Sequence, residues 1–178
     1  MPSKYETRRH ESAHAIVALA LDIGLQEDAL VFASDGDACT NVAPPPSPQP
    51  DESWCIRRAA VKLAGPIAMI RARRQEMEWG TLTSEHEYHA DHNQAEQLLQ
   101  KYWLDQHRAA DYNVVQSQMD EAASMAIQCV LENEAAIVCV TEATEGHDQF
   151  SRQQVMNVIA AHQPLRTPSR RAWTKDTG

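Results

Sequence analysis

Glycine, aromatic residues and long apolar runs are scarce in this sequence. Only 6 of the 178 residues are glycine and 6% are aromatic, which fits poorly with an all-β sandwich rich in tight turns. The longest apolar run, Ala15 to Leu21, is far shorter than the roughly 20 residues needed to span a bilayer, and Glu6 and His10 stand where a signal peptide needs apolar residues. Alanine-rich stretches favour helices instead. The sequence therefore predicts a mostly α protein without a membrane span, located in the cytoplasm.

Positive charge and closely spaced cysteines are also lacking. Sixteen lysine and arginine residues against 25 aspartate and glutamate residues give a net charge of −9, which disfavours a phosphate-binding surface and hence a nucleic-acid partner. The four cysteines, Cys39, Cys55, Cys129 and Cys139, have no CxxC spacing, which argues against a thiolate zinc knuckle or a redox pair. We expect them to be small buried hydrophobes in a reducing compartment.

Length and capping signals predict one domain over residues 1–165, followed by a flexible basic tail over 166–178. About five helices are predicted, and all but the second begin with a Ser or Asn three residues before a Glu or Gln. The predicted helices cover about residues 4–23, 51–75, 84–105, 113 to before Gly146, and 151 to near Pro164. We expect the second helix to be interrupted and kinked at Gly65-Pro66, and the long fourth helix has room for a bend.

The segment between the first two helices has a different pattern. Two short extended runs, 29–32 and 40–43, flank Ser34-Asp35-Gly36-Asp37, and Asp-Gly in this position predicts a β-hairpin next to the first helix. Residues 43–52 are rich in proline, whose fixed backbone angle and missing N–H donor exclude helix and sheet ladder. This stretch is predicted to be an exposed loop.

The first predicted helix carries the sequence His10-Glu11-Ser12-Ala13-His14, which matches HExxH. Histidines four residues apart project from one face of a helix and can bind one Zn²⁺ ion. Glu11 then lies beside the metal, where its carboxylate can take a proton from a zinc-bound water, as hydrolysis of a peptide bond requires. The motif predicts a zinc metalloprotease with His10 and His14 as ligands and Glu11 as the catalytic general base.

Two histidines leave a catalytic zinc one protein ligand short. Candidates for the third ligand cluster in Glu85-His86-Glu87-Tyr88-His89-Ala90-Asp91-His92, near the start of the third predicted helix. A polar helix terminus, in which acidic residues merely complement the helix dipole, explains the same composition without a metal. The residues alone leave the choice within this cluster open.

The order of these motifs resembles the peptidase domain of FtsH-type ATP-dependent zinc metalloproteases. HExxH on the first helix, Leu63-Ala64-Gly65 in the second and Asp91 followed by Ala95 are similar to that family's HEAGH, LxGxxAE-like and SNDxxxAT-like segments. The resemblance covers roughly residues 5–162. It implies a helical peptidase fold with a hairpin beside the HExxH helix and Asp91 as the third zinc ligand, although His89 and His92 are competing candidates. It also implies that an extended polypeptide substrate pairs with about Cys39 to Val42.

The chain departs from that family in having no GxxxxGK[ST] motif for an ATPase module and no membrane anchor. The expected activity is therefore hydrolysis of unfolded or flexible polypeptides without intrinsic ATPase, with a separate ATPase or further copies of the chain as optional partners. Two other hypotheses stay open. One is a non-catalytic, zinc-stabilised interaction or regulatory domain of the same fold, and the other is a helical structural protein in which HExxH occurs by chance.

Overall fold

The described residues form six helices and three strands. The computed structural model describes residues 3–33, 37–45, 47–73, 89–106, 111–162 and 164–167. In chain order the elements are α1 (Lys4–Ala20), β1 (Leu25–Phe32), β2 (Ala38–Val42), α2 (Glu52–Ala72), α3 (His89–Asp105), α4 (Tyr112–Glu132), α5 (Glu134–Ala143), β3 (Gln149–Phe150) and α6 (Arg152–His162). The prediction of a mostly α fold with a small β element is confirmed.

The first helix begins at the predicted capping box. Ser3 Oγ accepts a hydrogen bond from the Glu6 amide at 3.2 Å, and Glu6 Oε2 accepts one from the Ser3 amide at 2.7 Å. Two backbone donors at the helix start are thereby satisfied. The helix ends at Ala20, earlier than predicted, because Asp22 and Gly24 adopt positive φ angles of 56° and 86° that turn the chain into β1.

The predicted hairpin is present and extends beyond its sequence pattern. β1 and β2 pair antiparallel, with Leu30 opposite Thr40 and Phe32 opposite Ala38. A third strand, β3, pairs with the other side of β1, which gives the order β2-β1-β3. β3 has two residues, too few for a periodic pattern, so the sequence does not predict it. Among the described strands, β2 is therefore an edge strand.

The second helix continues through Gly65 and Pro66, so the predicted interruption is wrong, and the kink expected there stays a prediction. Asp51 Oδ1 caps its start by accepting a hydrogen bond from the Trp54 amide at 2.6 Å. The segment around the proline is buried against neighbouring elements, and this packing offsets the local cost of a proline within a helix. α2 lies against α1, α3 and α4, which places it at the centre of the fold.

The fourth predicted helix is divided into α4 and α5 at Asn133. The φ of −116° and ψ of 19° at this residue are not helical, and the two helix axes meet at 71°. Asn133 Nδ2 donates to the carbonyls of Cys129 and Arg166, and Asn133 Oδ1 accepts from the Arg166 amide. An asparagine side chain that bonds to backbone in this way competes with helix continuation. The prediction of one continuous helix is therefore wrong, because the chain breaks into two helices at Asn133 where the sequence allowed for a bend.

Side-chain caps determine the residues at which α4 and α6 begin. Asp111 rather than Asn113 caps α4, because Asp111 Oδ1 accepts the Asn113 amide at 2.8 Å. The capping box predicted for α6 is present, with Ser151 Oγ bonded to the Gln154 amide and Gln154 Oε1 bonded to the Ser151 amide. The predicted start of the third helix at residues 84–88 and the tail beyond residue 167 lie outside the described residues.

The cysteines differ in their exposure, and the proline-rich loop lies at the surface. Cys55 and Cys129 are buried as predicted, Cys139 is half-buried and Cys39 is exposed on β2, so the expectation of four buried thiols is wrong for Cys39 and only partly met by Cys139. Its position on a short edge strand explains the exposure, because one side of that strand lacks a covering element among the described residues. The described part of the proline-rich loop is mostly exposed, as predicted.

Within the described residues, no single helix is both long and apolar enough to cross a membrane. Only α4 and α5 taken together reach that length and composition, and they do so across the 71° bend.

Candidate metal centre

The HExxH motif lies on the part of α1 that packs against α2. Burial along this helix rises after its first turn, so that His14 is only 6% exposed while His10 is half-buried. The two Nε2 atoms lie 3.0 Å apart, as expected for residues one helical turn apart on one face. The motif therefore has the helical placement that the sequence predicts.

Asp91, in the first turn of α3, reaches both histidines. Its Oδ2 atom lies 2.9 Å from His10 Nε2 and 3.5 Å from His14 Nε2. A tetrahedral zinc site with ligands at about 2.0–2.1 Å places its ligand atoms about 3.3 Å apart. The three separations of 2.9, 3.0 and 3.5 Å thus form a triangle of the size that one zinc ion requires.

The donor chemistry also fits a cation. His14 Nδ1 lies 2.6 Å from the Val61 carbonyl oxygen, so this ring nitrogen donates and leaves the Nε2 lone pair facing His10 and Asp91. A carbonyl that accepts a hydrogen bond from the other ring nitrogen fixes the tautomer and the orientation of a metal-binding histidine. Lone pairs and a carboxylate that converge on one point repel each other unless a proton or a metal ion lies between them.

Arg9 orients the helix that carries the motif. Its side chain is 5% exposed, and its guanidinium bonds to the carboxylate of Glu134 at the start of α5. Arg9 Nε also donates to the Ala68 carbonyl on α2 at 3.4 Å. These contacts tie α1 to two other helices, so the rotation of α1 that presents His10 and His14 to α2 is fixed by its neighbours.

Gly65 provides the space in which the two imidazoles meet. A Cβ atom built on Gly65 would lie 2.5 Å from His10 Nε2 and 2.6 Å from His14 Nε2, well inside van der Waals contact. The residue lies in the middle of α2, where glycine costs roughly 0.5–1 kcal/mol relative to alanine. The close approach explains why this helix position holds a residue without a side chain.

Asp91 and His14 each shift the pKa of the other. Burial raises the pKa of Asp91, but hydrogen bonds from His10 and His14 outweigh this effect and hold the pKa of Asp91 well below its usual range. Burial lowers the pKa of His14, but the hydrogen bond and charge of Asp91, with a contribution from Glu11, raise it overall. In the metal-free protein, Asp91 therefore favours the protonated form of His14 more than water favours it for a free imidazole, and His14 favours the ionised form of Asp91.

We expect the stability of the metal-free protein to fall as the pH rises above about 6.5, the ordinary pKa of histidine. Because the pKa of His14 is higher in the folded than in the unfolded state, its protonation stabilises the fold at low pH, and this contribution is lost as the pH rises through the folded pKa. The contribution of Asp91 to stability depends on pH in the opposite direction. Because the pKa of Asp91 is lowered in the folded state, this contribution is lost only as the pH falls below about 3.8.

Urea unfolding of the metal-free protein between about pH 5.5 and pH 8.5 measures this dependence. His14→Gln is expected to reduce the decline, and His162→Gln, at an exposed position in α6, should leave it unchanged. A decline that is equally steep in the His14 variant would contradict the assignment.

Glu11 forms one wall of a cleft beside the triangle of ligand atoms. The residue is 8% exposed, and its Oε2 accepts a hydrogen bond from Thr40 Oγ1 at 2.7 Å. The same hydroxyl lies 2.8 Å from the Glu11 carbonyl oxygen, which ties β2 to α1. The carboxylate is thereby held in one position next to His14.

The cleft runs between the edge strand β2 and the helices α2 and α3. It has a volume of about 240 Å³. Its lining comprises Glu11 and His14 from α1, Ala38, Cys39, Thr40 and Val42 on and around β2, Val61 and Lys62 from α2, and Asp91 and Gln94 from α3. An exposed strand edge, the buried carboxylate of Glu11 and two of the three candidate metal ligands, His14 and Asp91, thus line one groove.

The structure distinguishes among the candidates for a third ligand in the described part of the predicted cluster. The ligand atoms of His10, His14 and Asp91 all lie within 4.8 Å of one another, and His89 and His92 are not members of this group. Glu85, His86, Glu87 and Tyr88 lie outside the described residues. Whether Asp91 binds zinc remains a prediction, now with a defined geometry.

Sequence reasoning missed Thr40, Lys62 and the Val61 carbonyl as parts of this site. Thr40 lies in the strand predicted to pair with substrate, but nothing in its sequence neighbourhood indicates a contact with Glu11. Lys62 and Val61 lie in an apolar helix segment, and only the packing of α2 across α1 brings them to the cleft. No local pattern could have identified them.

Comparison with models of known protein families and with curated proteins finds no match to this chain. The functional assignment therefore depends on the site itself.

Proposed function

We propose that this protein is a zinc-dependent endopeptidase that hydrolyses unfolded or flexible polypeptides. The observation that carries the proposal is the convergence of His10 Nε2, His14 Nε2 and Asp91 Oδ2 at 2.9–3.5 Å, with the carboxylate of Glu11 on the wall of the same cleft. Three protein ligands with one open position are typical of catalytic zinc sites, whereas structural sites are closed by four. The motif resemblance to FtsH-type peptidase domains supports the same reading.

Zinc bound by these three residues would polarise a peptide carbonyl and lower the pKa of a water molecule. Glu11, held by Thr40, is placed to accept a proton from the attacking water and to pass it to the departing amine. His14 keeps its orientation through the Val61 carbonyl during these proton transfers. Each step uses a residue that already has a fixed partner in the fold.

The edge strand β2 supports a polypeptide substrate. Strand residues Cys39, Thr40 and Val42 line the same cleft as Glu11, and Thr40 donates a hydrogen bond to the Glu11 carboxylate, so an extended chain paired with β2 would lie close to that carboxylate. Pairing of this kind needs a substrate segment free of its own secondary structure. Delivery of folded substrates would fall to a separate ATPase or to an assembly of several copies.

We place this activity in the cytoplasm. Cys55 and Cys129 are buried without a disulfide partner, and burial raises the pKa of both thiols, which keeps them protonated and unreactive. Free thiols in the core suit a reducing compartment.

Metal content and hydrolysis measured on one preparation test the proposal. We expect about one zinc per chain by elemental analysis, lost in His14→Ala and in Asp91→Ala and kept in His162→Ala, whose exposed side chain is on α6. The zinc-loaded protein is expected to generate new amino termini from a reduced and alkylated polypeptide, and a chelator should stop this until zinc is restored.

Zinc without hydrolysis would favour the non-catalytic interaction domain over the peptidase. A protein that binds no zinc even after reconstitution would exclude both and leave HExxH as a chance match.

A further inference from the structure

Lys62 is the basic residue that lines the cleft beside the three candidate ligands. It lies on α2, across the groove from β2, and shares the lining with Glu11, His14 and Asp91. The side chain is half-buried. A polypeptide that paired with β2 would therefore run between the strand and this ammonium group.

The positive charge of Lys62 is not neutralised by a direct contact in the described part of the chain. Burial lowers the pKa of its ammonium, and the more distant charges of Asp91 and Glu11 act in the opposite direction, but no hydrogen bond contributes. A lysine with a partly buried aliphatic stem keeps its charged head toward water or a charged ligand. Because Lys62 lines the groove, a substrate group bound there can approach it.

A bound metal would leave the cleft with a positive net charge. The carboxylates of Glu11 and Asp91 balance a divalent ion, and the described residues that line the groove offer no further carboxylate to balance the ammonium of Lys62. The whole chain has a net charge of −9, so a positive cleft is a local feature. Such a site attracts anions against the average field of the protein.

Strand geometry determines which substrate groups can reach Lys62. Successive side chains of an extended chain point to opposite faces, so a substrate paired with β2 turns one side chain toward α2 and the next one away. A glutamate or aspartate in the facing position can form a charge-assisted hydrogen bond with the ammonium. A free carboxyl terminus at the same point offers the same chemistry.

We propose that Lys62 binds a carboxylate of the substrate, so that the cleft selects polypeptides with an acidic residue or a free carboxyl terminus next to the cleaved bond. This inference rests on the proposed peptidase function, because the bound peptide is its substrate. It concerns peptide binding, so it can be tested without hydrolysis. It makes Lys62 a determinant of specificity rather than a catalytic residue.

Peptide binding to the zinc-loaded Glu11→Gln protein provides the test. The probes are fluorescent serine-threonine peptides with a central glutamate, glutamine or lysine and an amidated end, together with the glutamine peptide bearing a free carboxyl terminus. We expect the glutamate peptide to bind about tenfold more tightly than the glutamine peptide, and the lysine peptide to bind most weakly. Tighter binding of the free-acid peptide alone would assign the subsite to a carboxyl terminus.

Two variants at the same position provide matched controls, each checked for zinc content. Lys62→Met keeps the length of the side chain without its charge and is expected to abolish the preference, whereas Lys62→Arg should keep it. Equal binding of all four peptides, or a preference that survives in Lys62→Met, would overturn the proposal. With Glu11 intact, a Lys62→Met protein that cleaves all four peptides more slowly by the same factor would also overturn it, since Lys62 would then act at the reacting carbonyl.

The outcomes separate this inference from the proposed function. If the parent protein hydrolyses peptides without any preference for carboxylates, the proposed peptidase function is supported and the proposed role of Lys62 is rejected. If the protein binds acidic peptides through Lys62 but cleaves no peptide, the proposed role of Lys62 is supported and the proposed peptidase function is rejected.

Discussion

Replacing Gly65 with alanine is expected to abolish zinc binding while the helical fold remains. The added Cβ would lie 2.5 Å from His10 Nε2 and 2.6 Å from His14 Nε2, the two atoms that would face the metal. His14 cannot move, because it is buried and bonded to the Val61 carbonyl. The half-buried ring of His10 would swing outward and open the triangle of ligand atoms.

The expected loss of zinc affinity is at least about 100-fold, the upper end of what removal of an orienting partner costs a metal site. Stability of the metal-free protein should change little, because alanine is better than glycine in a helix by roughly 0.5–1 kcal/mol and this gain offsets part of the steric strain. Elemental analysis and thermal unfolding of metal-free and zinc-loaded protein measure both quantities.

Ala64→Gly is the matched control. It makes the reverse exchange at the neighbouring, fully buried position of α2, so it should lower stability by about 1 kcal/mol and leave zinc binding intact. Zinc binding at parental affinity in Gly65→Ala would show that the metal, if any, is held elsewhere.

Replacing Glu11 with glutamine is expected to lower the rate of peptide hydrolysis by about 10³-fold, within the range that general acid–base catalysis contributes. Glutamine has the same shape and can still accept the hydrogen bond from Thr40 Oγ1, but it cannot take up a proton from water. The ligand atoms of His10, His14 and Asp91 are untouched, so zinc content should stay near one per chain.

Glu27→Gln controls for the change of charge, because Glu27 is exposed on β1 and outside the cleft lining. Rates of cleavage of an unfolded substrate, normalised to bound zinc, are compared for the two variants and the parent. A Glu11→Gln protein that cleaves at the parental rate would exclude Glu11 as the base and point to a contaminating protease.

The pattern of helices and the hairpin could be predicted because their signals are local. Ser3 with Glu6 and Ser151 with Gln154 satisfy backbone donors within one turn, so the cap can be recognised in the sequence and is present in the structure. The errors occurred where a distant contact decides the outcome. Asn133 ends α4 by bonding to Arg166, and packing carries α2 through Pro66.

In the candidate site, too, the local features could be predicted from the sequence and the distant contacts could not. HExxH and the placement of His10, Glu11 and His14 on one helix follow from the sequence, since a spacing of four residues puts two side chains on the same helical face. The resemblance to a peptidase family indicated Asp91, but the sequence left its neighbours His89 and His92 as alternatives. Among the candidates in the described part of the chain, Asp91 is the one whose side chain lies within 3.5 Å of both imidazoles.

The sequence by itself determined a mostly α chain, the hairpin and a helix bearing two histidines and a glutamate. Capping, periodicity and turn preference act over a few residues and need no knowledge of the rest of the chain. Only the tertiary structure decided that Gly65 leaves space for the imidazoles, that Thr40 holds Glu11 and that Lys62 lines one cleft with the edge strand. These relations depend on how α1, α2 and β2 cross, and a crossing is set by the packing of whole helix faces, which no short segment of sequence encodes.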